Sequence, residues 1–154
     1  MTWSVYLSGE IHTNWREEIA EGARAAGLDV EFTGPVTDHP ASDDCGVQIL
    51  GPEEDKFWHD HKGAKINAMR TGTYLRRADI VVVRFGEKYK QWNAAFDAGQ
   101  AAALGKPLIV MHGADHTHAL KEVNAAALAT VETPAHIVDI LNYVIDGKLA
   151  GYTD

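Results

Sequence analysis

The sequence predicts an α/β protein: a doubly wound, flavodoxin- or Rossmann-like sheet of five parallel strands in the order 2-1-3-4-5, with helices on both faces. Three observations carry this. Two unbroken apolar runs, I-V-V-V at 80–83 and L-I-V-M at 108–111, read as strands buried on both faces, as parallel sheets require. Between them lies a helical stretch with one charged residue, Asp97, closed by Gly105-Lys106-Pro107, a glycine past the last turn followed by a proline that cannot continue it. The first 33 residues, finally, read as strand, helix and strand, a unit whose crossover is right-handed.

Taken in order, residues 3–8 are a short apolar strand, followed by the loop Gly9-Glu10-Ile11-His12-Thr13. Asn14 is placed to cap the next helix, with Glu17 three residues on as its capping-box partner. Trp15, Ile19, Ala23 and Ala26 share one face of that helix, and Gly27 stops it. The second strand covers 28–33. Residues 34–60 contain three prolines, many acids and no clean period, and read as a long irregular loop of the kind that serves as a lid, with at most a helical turn near 44–50. A helical pattern returns over 61–77, with Ile66, Met69 and Thr73 at core spacing. Beyond the central stretch, 117–127 reads as a helix with Leu120, Val123 and Ala127 inward, and 128–132 as the fifth strand. Pro134 opens the last helix, with Ile137, Ile140, Leu141 and Val144 inward, and Gly147 closes it; the tail, 148–154, has no period.

Composition narrows the partners. The 154 residues suit one domain, with 45% hydrophobic and 23% charged residues. A net charge of −8 disfavours nucleic acid polymers and anionic membranes, but not a small nucleoside or nucleotide. No apolar run approaches the ~20 residues of a membrane span. A single cysteine, Cys45, and no visible leader fit a reducing cytoplasm. Cys45 has no cationic neighbour in sequence to activate it. Eight histidines include His59 and His61 around Asp60, and His112, His116 and His118; without a His-Glu-x-x-His or a cysteine pair, solvated loop histidines are the reading, with no metal and no cofactor.

The chemistry centres on Asp97. Ligands of open α/β sheets bind beyond the carboxyl ends of the strands, at the switch point where the strand order reverses. Here that point lies between strands 1 and 3, whose ends carry Gly9, Glu10, His12, Arg84 and Phe85. A carboxylate near a helix amino end is held ionised by the helix dipole, by ~0.3–1 kcal/mol when exposed. Such a carboxylate beside an apolar wall can attack a sugar anomeric carbon and form a glycosyl ester. Asp97 is the nucleophile candidate and Glu10 the acid/base, the two carboxyls facing one pocket roughly 5–10 Å apart. Tyr6, Ser8, Gly9, His12, Phe85, Trp92 and Asn93 are the substrate-binding candidates. Trp92, Tyr89 and Trp58 offer flat faces to a base, and Asn93, four residues before Asp97, shares its helix face. Arg16, Arg70 and Arg84 could bind a substrate phosphate, but Arg16 and Arg70 read first as helix-surface charges and His12, next to the first helix's amino end, is the better phosphate or ribose contact; Glu10 would repel a phosphate, which favours an uncharged nucleoside. The alternative is a binding module that recognises a nucleoside derivative in the same pocket without cleaving it.

Y-L-S-G-E-I-H-T-N-W-R-E-E-I (6–19), F-G-E-K-Y-K-Q-W-N-A-A-F-D-A (85–98) and A-L-G-K-P-L-I (103–109) together resemble the YtoQ family across essentially the whole chain. The same segments are more distantly similar to nucleoside 2-deoxyribosyltransferases and deoxynucleoside-monophosphate N-glycosidases. In those families a first strand ends in Tyr-Leu-Ala-Gly-like sequence, and a later Phe-Glu-x-Gly-x-Ala-x-Ala-Leu-Gly-Lys-Pro carries the nucleophilic Glu. Tyr6-Leu7-Ser8-Gly9 fits the first, and the segment 96–107 fits the second, with Asp97 on the nucleophile, one methylene shorter. Two departures accompany it. The glycines before the nucleophile become Trp92-Asn93-Ala94, and an aspartate on the preceding helix becomes Thr71. The resemblance implies a small nucleoside or nucleotide partner, reaction at a C1′–N bond, and a homodimer or larger assembly; Gly99 is expected to let its helix approach the sheet.

Overall fold

A computed structural model describes residues 1–152. It holds one sheet of five strands, β1 (Trp3–Gly9), β2 (Val30–Thr33), β3 (Ile80–Arg84), β4 (Leu108–Met111) and β5 (Ala129–Val131), all parallel, in the order β2-β1-β3-β4-β5. The doubly wound topology expected from the sequence is therefore the observed one. Six helices join the strands: α1 (Trp15–Ala25), α2 (His39–Leu50), α3 (Lys56–Arg77), α4 (Trp92–Ala103), α5 (Lys121–Ala126) and α6 (Pro134–Asp146). A short 3-10 turn, Ala114–His116, precedes α5. No helix among the described residues is long and apolar enough to cross a membrane.

Side chains alternate across the strands, so the sheet separates two cores. Val5, Leu7, Val82, Ile109 and Met111 face α1 and α6, where Trp15, Ile19, Ile137 and Leu141 meet them. Tyr6, Val81, Val83, Leu108 and Val110 face the other way, onto Leu75 of α3 and Ala94, Ala98 and Ala101 of α4. β3 and β4 are buried along nearly their whole length, as their unbroken apolar runs require. The pairing of β1 with β2 ends at Tyr6↔Thr33, whereas its pairing with β3 continues to Gly9↔Arg84. The last three residues of β1 thus have a strand neighbour on one side only, and on the other the Arg16 guanidinium donates to the Leu7 and Gly9 carbonyls.

The largest departure from the sequence reading lies at 34–60. This segment is not an irregular loop. Asp38 caps α2 by accepting from the Ala41 N–H at 2.8 Å, Pro40 occupies the first turn, and Asp55 caps α3 by accepting from the Phe57 N–H at 2.8 Å. The two helices form an antiparallel hairpin, close at Gly46 and Gly63. A Cβ on Gly46 would stand 2.4 Å from the Gly63 nitrogen. Across the hairpin the Asn67 amide donates to the Ser42 carbonyl at 3.0 Å, and His59 Nε2 meets Asp44 at 3.2 Å.

Smaller corrections have local causes. Asn14 makes no side-chain cap. On α3, Met69 is 67% exposed, and Leu75 and Gly63 are the buried positions instead. The helix expected from 117 is shortened to α5 by the 3-10 turn, although Leu120, Val123 and Ala127 do pack inward. On α6, Thr133 caps and Gly147 closes in the left-handed conformation, while Val144 stays exposed. Gly99 faces open space, and the close approach of α4 is made by its alanines. The end of the tail, 153–154, lies outside the described residues.

Helix propensity and packing pull these two glycines apart. Gly99→Ala is expected to stabilise the fold by up to ~1 kcal/mol, since alanine is the better helix former and meets nothing. Gly46→Ala gains the same propensity but drives a methyl into backbone, and a net loss of about 1–2 kcal/mol is expected. Urea unfolding of the two variants checks both signs.

Candidate active site

Three alanines set the geometry. Ala94, Ala98 and Ala101 are buried on the inner face of α4, where longer side chains would hold the helix away from the sheet. Asp97 lies between them, at the end of β1. The Ser8 hydroxyl, itself buried, donates to Asp97 Oδ2 at 2.6 Å. Two elements 89 residues apart in sequence are joined there.

Asp97 also lines a cleft of about 750 Å³. Asn93, Phe96 and Gln100 of α4 stand with it on one side. Opposite are Asn67, Arg70 and Thr71 of α3, Ser42 and Asp43 of α2, and Pro35 and Val36 after β2. The size suits a small organic ligand. The far wall belongs to the α2–α3 hairpin; Arg70 and Thr71 were singled out in the sequence, but Ser42, Asp43 and Asn67, which the hairpin brings beside them, were missed. The capping aspartates Asp38 and Asp55, each just before a helix, were the signal available for it.

The electrostatics of Asp97 reverse the expectation from the helix dipole. Burial raises its pKa above the ordinary aspartate range, and only the Ser8 hydroxyl opposes the rise. Asp97 is the sixth residue of α4, beyond the first turn in which the dipole acts. Tyr6 lies under the same region, fully buried, its ring 6.4 Å from that of Tyr74. Its hydroxyl has no hydrogen-bond partner, and burial pushes its pKa up to about 12 against the pull of neighbouring Thr71; the charge of Asp97 adds to the rise.

Glu10 stands apart from this cleft. It is only 3% exposed, and it does not line the cavity that Asp97 does. Its carboxylate accepts from the His12 N–H and, at 2.6 Å, from the Thr13 hydroxyl, and Arg84 Nε lies 3.4 Å away. Burial would raise its pKa, but these hydrogen bonds and the Arg84 charge outweigh burial and hold it below the ordinary range. A general acid at neutral pH needs the opposite shift. Nor are the two carboxyls brought together in one cavity.

The remaining candidates divide. Asn93 lines the cleft. Phe85 is 5% exposed and belongs to the core, so it offers no face to a ligand. Gly9 is a backbone requirement: its φ is +109°, and a Cβ there would lie 2.1 Å from the Arg84 carbonyl oxygen. His12 is exposed against the ring of Tyr89, 4.7 Å away, and Trp92 is 73% exposed beside Lys90. Neither they nor Trp58 line the cleft. Arg16 is not a surface charge. Its guanidinium donates to the carbonyls of Leu7, Glu10 and Gly9 at 3.1, 2.7 and 3.2 Å and fixes the loop after β1. Among the described residues no three His, Cys, Asp or Glu side chains converge in a way that could hold a metal ion.

Comparison with known proteins gives this geometry a family. Residues 6–145 match the family model described as "Nucleoside 2-deoxyribosyltransferase YtoQ". The chain is 44% identical over 146 residues to the "Uncharacterized protein YtoQ" of Bacillus subtilis (strain 168), covering 95% of this chain and 99% of that one. The chain belongs to the YtoQ family. Solved structures add the fold. A conserved protein from Enterococcus faecalis V583 superposes with a TM-score of 0.60 at 14% identity, covering 94% of this chain and 99% of its own. A 2-deoxyribosyltransferase from Bacillus psychrosaccharolyticus does so with a TM-score of 0.51 at 15% identity, covering 88% and 90%. In this YtoQ chain two of the three segments that carried the resemblance, 6–19 and 85–98, meet at the Ser8–Asp97 bond between β1 and α4.

The role of Glu10 as a structural anion is measurable. Because its folded-state pKa is depressed, it contributes stability above its unfolded pKa, and that contribution is lost as pH falls through the folded value. Glu10→Gln is expected to cost about 2–3 kcal/mol at neutral pH, the scale of charged hydrogen bonds lost in a buried site. In chemical denaturation the gap from wild type should narrow in acid.

Proposed function

We propose that this YtoQ protein acts at the C1′–N bond of a nucleoside or nucleotide, with Asp97 as the nucleophile. The observation that carries the reading is the placement of Asp97: an acid on the cleft side of α4, with one oxygen held by Ser8. With Oδ2 fixed, Oδ1 is the oxygen left to attack. It bonds to C1′ as the C1′–N bond breaks, the electron pair leaves with the base, and the base takes a proton from water. Water, or the nitrogen of a second base, then attacks C1′ of the ester and releases the carboxylate, giving free sugar or a new nucleoside. Membership in a family described as nucleoside 2-deoxyribosyltransferases, and a fold shared with one such enzyme, support this.

Each neighbour has a part in the proposal. Ser8 orients Asp97, and Asn93 on the adjoining turn positions the sugar. Tyr6 supplies a neutral hydroxyl beneath the carboxylate, kept protonated by its burial. The alanine face of α4 compensates for the shorter side chain of an aspartate by bringing its backbone inward. One observation favours a second reading, in which the cleft binds a nucleoside derivative without cleaving it: Glu10, the acid the sequence offered for the leaving group, does not line the cleft.

Incubation with a panel of nucleosides and nucleotides, read by chromatography for free base, decides between them. The first reading expects release; ligand-induced thermal stabilisation with no release from any compound favours the second. Asp97→Asn sharpens the test. The raised pKa means that the protonated form favours the fold at low pH and that this advantage is lost as pH rises through the folded-state value. The uncharged variant escapes that loss, so it is expected to melt at pH 7 no lower than wild type while releasing no base. In wild type, release should decline on acidification at a pH above the ~3.9 of an ordinary aspartate.

A further inference from the structure

The α2–α3 hairpin is bonded to itself and to little else. Among the described residues, every side-chain hydrogen bond and ion pair made by residues 38–70 ends within residues 38–73. At its tip Lys62 donates to the Gly51 carbonyl at 3.0 Å and meets Glu53 at 2.7 Å. None of residues 38–70 belongs to either hydrophobic core. Attachment begins at the end of α3, where Tyr74 and Leu75 pack beneath the sheet with Tyr6. At the other end, residues 35–37 lead from β2 to α2 with no backbone–backbone hydrogen bond among the described residues. The hairpin is thus one body internally, joined to the sheet through one helix end and one short strap.

The free and anchored parts of α3 meet at Thr71-Gly72-Thr73. A glycine between two β-branched residues is a weak place in a 22-residue helix. The Thr73 hydroxyl donates to the Met69 carbonyl at 2.7 Å, a bond back to i−4 of the kind that bends helices. Arg70, 4.8 Å from the ring centre of Tyr74, also spans this point, and a cation over a ring face holds without fixing a direction. From Gly72 to its amino end α3 runs about 24 Å, so a bend of about 20° at this joint carries the tip through roughly 8 Å. Apolar surface is left for such a movement to cover. Phe96 of α4 lines the cleft opposite the hairpin and is 68% exposed.

We propose that the α2–α3 hairpin is a hinged flap, swinging as one body about Thr71-Gly72-Thr73 and closing the cleft against Phe96 of α4. Spin labels test it in a Cys45→Ser background, read as distance distributions by pulsed electron resonance. Ile49→Cys at the end of α2 is paired in turn with Ala103→Cys on α4 and Asp139→Cys on α6, all exposed positions. Ile49→Cys with Lys65→Cys, both on the hairpin, is the internal control. Broad distributions are expected between hairpin and body, and a narrow one within the hairpin. The double variant Gly72→Ala, Thr73→Ala stiffens the joint, and a Cβ at 72 meets only the Arg76 side-chain tip, 3.2 Å away. It is expected to narrow the hairpin-to-body distributions by about half, because alanine is the best helix former. Phe96→Ala, which removes the surface that closure covers, is expected to lengthen the mean distance from Ile49 to Ala103. Narrow distributions in the parent protein, a breadth indifferent to the double variant, a broad distribution within the hairpin, or a mean distance unmoved by Phe96→Ala would each overturn the proposal. None of these readings needs a ligand or a turnover, so they stand apart from the glycosyl chemistry.

Discussion

The site depends on how closely α4 lies against the sheet. A helix presenting leucines or valines to β1 and β3 would ride higher; one presenting Ala94, Ala98 and Ala101 sinks until an aspartate reaches a serine on the strand. That contact carries Asp97 out of bulk solvent, and partial burial raises its pKa. A buried carboxylate is a poor stabiliser, and folding alone gives no reason to keep one at this point. The proposed reaction would give one, because an acid is useful where water is scarce and one of its oxygens is fixed.

The turn after β1 shows a contrasting use of charge. Glu10 and Arg16 both lie within a few residues of Ser8, and both are consumed by architecture. Arg16 gathers three carbonyl oxygens that the end of a strand leaves without partners, and Glu10 receives the donors of the following turn with Arg84 beside it. A backbone with positive φ at Gly9 and a tight approach to Arg84 needs such support. Two acids in neighbouring loops and helices thus have opposite environments: one with donors in excess and a low pKa, one with a single donor and a raised pKa.

Much of the fold was legible because buried strands and amphipathic helices leave periodic traces. The runs at β3 and β4, the Gly-Lys-Pro stop after α4 and the Pro134 start of α6 all correspond to observed boundaries. α2 left no such trace. Its only buried residue is a glycine, and Ile49 and Leu50 point outward, so periodicity could not reveal it. It is held by the local Asp38 cap, which the sequence does offer, and by contact with α3, which no periodicity within α2 announces. The same blindness extended to the site. Asp97 and Ser8 were legible from their places on the helix and strand that meet at the switch point, but Ser42, Asp43 and Asn67 are ordinary polar residues until the hairpin forms. Phe85 was misplaced because an aromatic after a strand reads equally as core or as ligand platform; burial decides for the core. The YtoQ family match runs over residues 6–145 and so takes in the hairpin wall as well as the motif-bearing segments.

The α2–α3 hairpin closes on itself at Gly46 and Gly63, and only the end of α3, with Tyr74 and Leu75, packs beneath the sheet against Tyr6. Most of the wall of the cleft is thus borne by one two-helix segment, whereas the hydrogen bond that orients Asp97 lies on the seam between β1 and α4, so a change at Ser42 or Asn67 reshapes the hollow without replacing either partner of that bond.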